Sequence, residues 1–141
     1  MKMIKLPNEA LPLRSRYGGI TRPPHSGRKV ALPTIDGFIF KRVEQIVLLE
    51  AEGNYTSLQF ADGSQILVCK TLRNTENMLA RHPQFIRIHR SYTINLNHLE
   101  KYIRGKGGYV VMENGRNISV SNSRKPMFMQ ALEYYFGKGE E

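Results

Sequence analysis

Three short clusters carry most of the polar chemistry of this 141-residue chain: Arg87, His89, Arg90 and Ser91; Lys101, Arg104 and Lys106; and Asn122, Ser123, Arg124 and Lys125. Guanidinium and ammonium groups beside hydroxyl and amide side chains suit the recognition of phosphates and base edges better than the making of bonds. Catalysis has little to work with. Ser91 close to His89 looks superficially like a nucleophile and its base, but no acid stands by to orient the imidazole. The only aspartates are Asp36 and Asp62, and the second belongs to a turn. His82, His89 and His98 are irregularly spaced and lack cysteine or acid neighbours at metal-ligand spacing, so no metal, cofactor or catalytic residue is expected. The "GKGG" at 105–108 lacks the strand-to-helix setting of a phosphate loop.

The third cluster opens a helix, where the macrodipole disfavours positive side chains by a few tenths to about 1 kcal/mol. An anion would reverse that sign: backbone N–H groups with Arg124 and Lys125 make a phosphate seat, and Asn122 just before it can reach a base edge. The bland alternative is a solvated helix end with Ser123 as its cap.

The elements that hold these clusters are mostly short strands. In "FIRIHRSYTINL", residues 85–96, Ile86, Ile88, Tyr92, Ile94 and Leu96 share one face of an extended chain, and Arg90 falls on that face. A lone guanidinium inside a buried stripe is very costly, so either the chain turns there or the arginine serves something outside the fold; if two strands meet at 89–91, Arg90 leaves the surface at a bend. Runs rich in β-branched and aromatic residues predict strands near 37–41, 45–51, 55–60, 64–69, 84–89, 91–95, 101–104, 108–112 and 117–120. Asp62-Gly63 and Asn114-Gly115 close two hairpins, and Glu52-Gly53-Asn54 marks another turn. "TLRNTENMLARHP" predicts a helix capped by Thr71, with Leu72, Thr75 and Leu79 on one face. "SRKPMFMQALEYYFG" predicts a second, with Phe128, Ala131, Leu132 and Tyr135 as its apolar stripe and Gly137 as its stop. Tyr92, Ile86, Ile88, Leu58, Leu72 and Leu132 are assigned to the core.

Residues 1–33 differ in texture. They carry five prolines (Pro7, Pro12, Pro23, Pro24, Pro33), the pairs Gly18-Gly19 and Ser26-Gly27, and unperiodic basic residues, which predicts a flexible basic arm. The formal charge is +9, and residues 1–34 hold seven basic side chains against Glu9, a local +6 that leaves +3 for the rest. Such an arm either touches DNA or merely solubilises. The excess favours a polyanionic partner. Cys69 is the only cysteine, no segment approaches 18 apolar residues, and the N-terminus lacks a signal peptide's apolar stretch, so a cytoplasmic protein without membrane contact is expected.

"EAEGNYTSLQFADG", the Thr-Leu helix, "FIRIHRSYTINLNHLEKY" and "NGRNISVSNSRKPMF", in that order and spacing, resemble the LytTR family of bacterial DNA-binding domains. The resemblance spans about residues 33–136 and is most specific in "F-x-R-x-H-R-S-Y-x-x-N". It implies a mostly β, elongated fold of about ten short strands in packed antiparallel sheets with two short helices. It also implies a transcription regulator whose loops enter successive major grooves. By motif position, the contacting residues are Asn54 and Tyr55, then Arg90 and Ser91, then Asn122, Ser123 and Arg124. His89 stands beside the tip, and Lys70, Arg104, Arg124 and Lys125 suit phosphates. Many members have a basic residue directly after "VS"; this chain has Asn122, with the arginine at Arg124.

The resulting organisation is an arm over 1–33, a LytTR-like domain over 34–137 and a tail over 138–141. The usual receiver domain does not fit into thirty-odd Pro-rich residues, so the chain is expected to be either a stand-alone regulator, resembling a response regulator in its output half, or a fragment of a longer one, with the Met start and irregular tail favouring the first. Its partner would be double-stranded promoter or operator DNA, with a homodimer on repeated half-sites as one arrangement. The rival is a non-enzymatic protein-interaction module with a basic docking arm.

Overall fold

The computed structural model describes residues 29–137, so most of the arm and the whole 138–141 tail lie outside the described residues. The architecture is mostly β, with ten strands among the described residues: β1 (Lys29–Thr34), β2 (Gly37–Arg42), β3 (Ile46–Glu52), β4 (Tyr55–Phe60), β5 (Gln65–Val68), β6 (Phe85–His89), β7 (Tyr92–Asn95), β8 (Leu99–Ile103), β9 (Tyr109–Met112) and β10 (Asn117–Ser119). Among the described residues two α-helices join them, α1 (Leu72–Met78) and α2 (Lys125–Phe136). All strand pairs are antiparallel. They form a hairpin β1-β2, a three-stranded sheet β10-β9-β8 and a five-stranded sheet β5-β4-β3-β7-β6.

The five-stranded sheet is covered on both faces, which is why β3 and β4 read as nearly continuous buried runs and not as strict alternation. One core gathers Leu48, Ile88, Ile94 and Leu96 against Val110, Met112 and Ile118 of the smaller sheet and Phe128 of α2. The other gathers Leu49, Leu58 and Phe60 against Leu32 of β1 and Leu72 and Leu79 around α1. A bulge between Ile46 and Leu48 turns Val47 and Leu48 to the same core, so the apolar run "IVLL" serves both sides. Of the assigned core residues, Ile88, Leu58 and Leu72 are buried, while Ile86, Tyr92 and Leu132 pack against the first core from its margin.

Helix α1 is held as its sequence predicts. Thr71 accepts from the Asn74 amide at 3.2 Å, and Leu72, Thr75 and Leu79 are all buried. The helix stops at Met78, well short of Pro83. On α2, Phe128 is buried, Ala131, Leu132 and Tyr135 pack on the first core, and the Gly137 amide bonds the Glu133 carbonyl at 2.8 Å. The capping alternative for Ser123 does not hold. Asn122–Arg124 form a 3-10 turn, and neither Ser121 nor Arg124, the residues at the N-caps of turn and helix, makes a side-chain cap bond.

One strand departs from expectation. β1 begins at Lys29, inside the segment read as an arm, and pairs along its whole length with β2. Pro33 hides it in sequence, yet proline is tolerated where no ladder donor is needed. The Pro33 carbonyl accepts from Cys69 N–H at 2.9 Å, and Leu32 is fully buried.

Candidate nucleic-acid interface

Antiparallel order brings one end of the five-stranded sheet together from three connections: the β3–β4 turn with Gly53 and Asn54, the β6–β7 tip with Arg90 and Ser91, and the exit from β5 with Cys69 and Lys70. The Ala51 amide donates to the Ser91 carbonyl at 2.8 Å, joining the first two. The third is tied in by the Thr56 hydroxyl, which donates to the Lys70 carbonyl at 2.8 Å; Thr75 in turn reaches Thr56 at 3.3 Å. Gly53 sits at φ 63°, a left-handed conformation that a β-branched residue would resist. Asn54, Tyr55 and Lys70 are exposed there.

The tip resolves the conflict in "FIRIHRSYTINL". A register shift between Arg87 and His89 leaves Arg90 in the turn, exposed and off both cores. The internal arginine is Arg87. Its Nε and Nη2 donate to Glu76 of α1 at 2.8 and 3.2 Å, and its Nη1 donates to the Arg90 carbonyl at 2.9 Å. Thr93 Oγ1 donates a short bond to the same carboxylate. A planar fork thus fastens the tip's backbone to the helix below it. Within the tip, the Ser91 amide donates to His89 Nδ1 at 3.1 Å, and the His89 ring meets Tyr92 edge-on with centroids 5.6 Å apart.

The third cluster joins the same end. The Ser121 amide donates to the Ile88 carbonyl at 2.9 Å, placing Asn122–Lys125 beside the tip. Val120 N–H bonds the Gly108 carbonyl at 3.0 Å, and Lys125 Nζ reaches the Gly105 carbonyl at 3.4 Å, so the turn bearing Arg104 and Lys106 lies alongside. Gly108 is closely packed in that turn: a β-carbon there would sit 3.0 Å from the Tyr102 hydroxyl and 3.1 Å from the Ile103 carbonyl, so these neighbours would have to give by a few tenths of an ångström. Asn122, Ser123 and Arg104 are exposed, whereas Arg124 and Lys125 are half-buried. Asn54, Tyr55, Lys70, Arg90, Ser91, Arg104 and Asn122–Lys125 thus come from turns or element ends and His89 from the end of β6, whereas Arg87 lies within β6 and Lys101 within β8.

Sequence reasoning missed the supports. Tyr92 faces Glu50 across the β3–β7 pair and donates to its carboxylate at 3.1 Å; Arg116 reaches the same carboxylate at 3.5 Å and lies 5.8 Å from the Tyr92 ring centroid. Burial, then the Glu50 carboxylate, pushes the Tyr92 hydroxyl above the ordinary phenol value. Arg73, Glu76, Arg87 and Arg124 line one cleft, of which the sequence signalled only the two arginines in motifs. Among the described residues, no group of three or more His, Cys, Asp or Glu is placed to hold a metal, and no helix is long and apolar enough to cross a membrane.

Known proteins share this pattern. A LytTr DNA-binding domain from Bacillus cereus superposes with a TM-score of 0.64 at 28% identity, over 74% of this chain and 96% of that one. The CO-responsive transcriptional regulator RcoM of Rhodospirillum rubrum is 34% identical over 94 residues, 66% of this chain; the match spans 39% of that protein's length. The family model of the LytTr DNA-binding domain matches residues 36–133, nearly all of the fold just described, and the chain belongs to that family.

Proposed function

We propose that this protein is a sequence-specific transcriptional regulator of the LytTR type, acting in the cytoplasm on double-stranded DNA. Arg90, Asn122 and one of Asn54 and Tyr55 read base edges in major grooves. Lys70, Arg104, Arg124 and Lys125 hold phosphates, while His89, Ser91 and Ser123 shape and line the contact. The observation that carries this reading is the pair of backbone bonds, Ala51 to Ser91 and Ser121 to Ile88, that gather three polar loops at one end of a doubly covered sheet. Loops with fixed spacing can meet a duplex as one surface, which is what simultaneous base contacts require.

Selection of duplexes from a random library by the full chain, followed by affinity measurements between 50 and 200 mM salt, tests the proposal. A shared motif with a steep loss of affinity as salt rises is expected, because phosphate neutralisation releases counterions. Equal binding to all sequences, or none to any, would sink it. The spacing of repeated half-sites in the selected motif also shows whether two copies bind together. A second reading, a protein-interaction module, draws support from the exposed Ile35, Phe38 and Phe40 on the β1-β2 hairpin. Under that reading the chain selects no motif.

A further inference from the structure

Between α1 and the start of α2 lies a cleft of about 350 Å³ lined by Arg73, Glu76, Arg87 and Arg124. Three guanidiniums face one carboxylate, a local balance of +2. That carboxylate is already taken: Arg87 engages both of its oxygens, and Thr93 donates to one of them. Arg73 and Arg124 make no ion pair among the described residues, so two cations share an open cleft with no anion left to answer them. Like charges held together are unfavourable, and an anion carrying two oxygens between them would turn repulsion into charge-assisted hydrogen bonds. The cleft also adjoins the tip, since Arg87 links its carboxylate to the Arg90 carbonyl.

We infer that Arg73 and Arg124 clamp a single phosphodiester of the DNA backbone in this cleft, making Arg73 a DNA-positioning residue. The inference rests on the proposed DNA-binding function. A phosphodiester suits the site because its two free oxygens can each take one guanidinium, and because a phosphate beside the tip would set the height at which Arg90 meets a base. Glu76 has a use in this arrangement: neutralised by Arg87, it holds the fork in place without repelling the incoming anion.

The experiment compares the full wild-type chain with Arg73→Gln on a duplex selected as above, between 50 and 200 mM KCl. The variant should keep the same base preferences and thermal midpoint, because Arg73 is exposed and sits outside both cores. Its affinity should drop several-fold at 50 mM, and the slope of log affinity against log salt should flatten by about 0.9, the signature of one phosphate contact. Arg42→Gln, an exposed cation at the end of β2, should leave the slope unchanged. Side-chain NMR provides a second arm: the Nε–H signals of Arg73 and Arg124 should shift together with duplex and stay put with inorganic phosphate at the same concentration. An unchanged slope in Arg73→Gln overturns the clamp while leaving the DNA-binding reading intact. Shifts with inorganic phosphate but not with duplex assign the cleft to a small anion and overturn it too. A wild-type chain that binds no duplex removes the underlying function and the clamp with it.

Discussion

The tip at His89–Ser91 and the loop at Ser121–Lys125 stand side by side but are built on different terms. Beyond the one backbone bond from Ala51 to Ser91, the tip hangs on a side-chain network, with the Arg87 fork on Glu76 and on the Arg90 carbonyl, and the His89 ring on the Ser91 amide. The loop hangs on backbone bonds, Ser121 to Ile88 and Arg124 and Lys125 to the Ser121 carbonyl, with no side-chain cap. A network of side chains fixes a conformation through particular residues, whereas backbone bonds fix it whatever side chains are present. The tip is therefore costly to alter, and the loop is free to change its side chains. Asn122, where this chain departs from a common family pattern, lies in the free one.

The strongest way to break that contrast is Arg87→Ala. It strips Glu76 of its fork and the tip of its anchor, and should cost about 1 to 3 kcal/mol, a range discounted because both partners are partly solvated. Denaturant midpoints measure this, and Arg87→Lys should recover only part because one ammonium cannot replace a two-pronged contact. Full stability in Arg87→Ala would mean that the tip stands by itself.

Arg90→Ala sharpens the same point from the other side. One residue beyond the β6 strand, it should leave the thermal midpoint unchanged while removing roughly 1 to 3 kcal/mol of discrimination at one base pair. Unfolding of this variant would return Arg90 to an internal role.

In the backbone-held loop, Asn122→Ala should relax preference at a single base pair by about 1 kcal/mol, at the low end of direct readout. Arg124→Ala should instead lower affinity for every operator variant by a similar factor, since a half-buried guanidinium facing a cationic cleft suits a phosphate. The reverse pattern in a library of operator variants would exchange the two roles.

The smallest effect belongs to the support behind the tip. Tyr92→Phe removes a hydroxyl bonded to Glu50 and should cost about 0.5 to 1.5 kcal/mol at neutral pH. Because the folded state raises the phenol's pKa, its contribution is complete below the unfolded value near 10 and disappears as pH climbs through the folded one. Stability curves of wild type and Tyr92→Phe should thus converge in alkali. Parallel curves would show that the hydroxyl's environment is the same in both states.

Much of this was legible from residue patterns. Alternation, Asp62-Gly63 and Asn114-Gly115 located the hairpins, and Arg90's misfit in an apolar stripe located the tip. Less visible was anything depending on residues far apart in sequence. Arg87 reads as one more surface cation until Glu76, eleven residues earlier, appears beneath it. β1 reads as part of the arm because Pro33 and its basic neighbours outweigh Leu32, whose burial depends on Leu58 and Val68 much later in the chain. Arg73 lies in "TLRNTENMLARHP", a stretch that signalled a helix but nothing about a contact for this side chain.

β1 has a practical consequence for handling the protein. Strand β5 is the outer strand of its sheet, and β1 lies against its end through the Pro33–Cys69 bond while Leu32 seals the core beneath. A fragment cut at residue 36, where the family match begins, would lose that cover, remove Leu32 from the core and strip β2 of its pairing partner. Unprotected strand edges invite edge-to-edge association between molecules. Fragments for expression should begin no later than Lys29, and those that begin later should precipitate as concentration rises even where their DNA-contacting residues are intact.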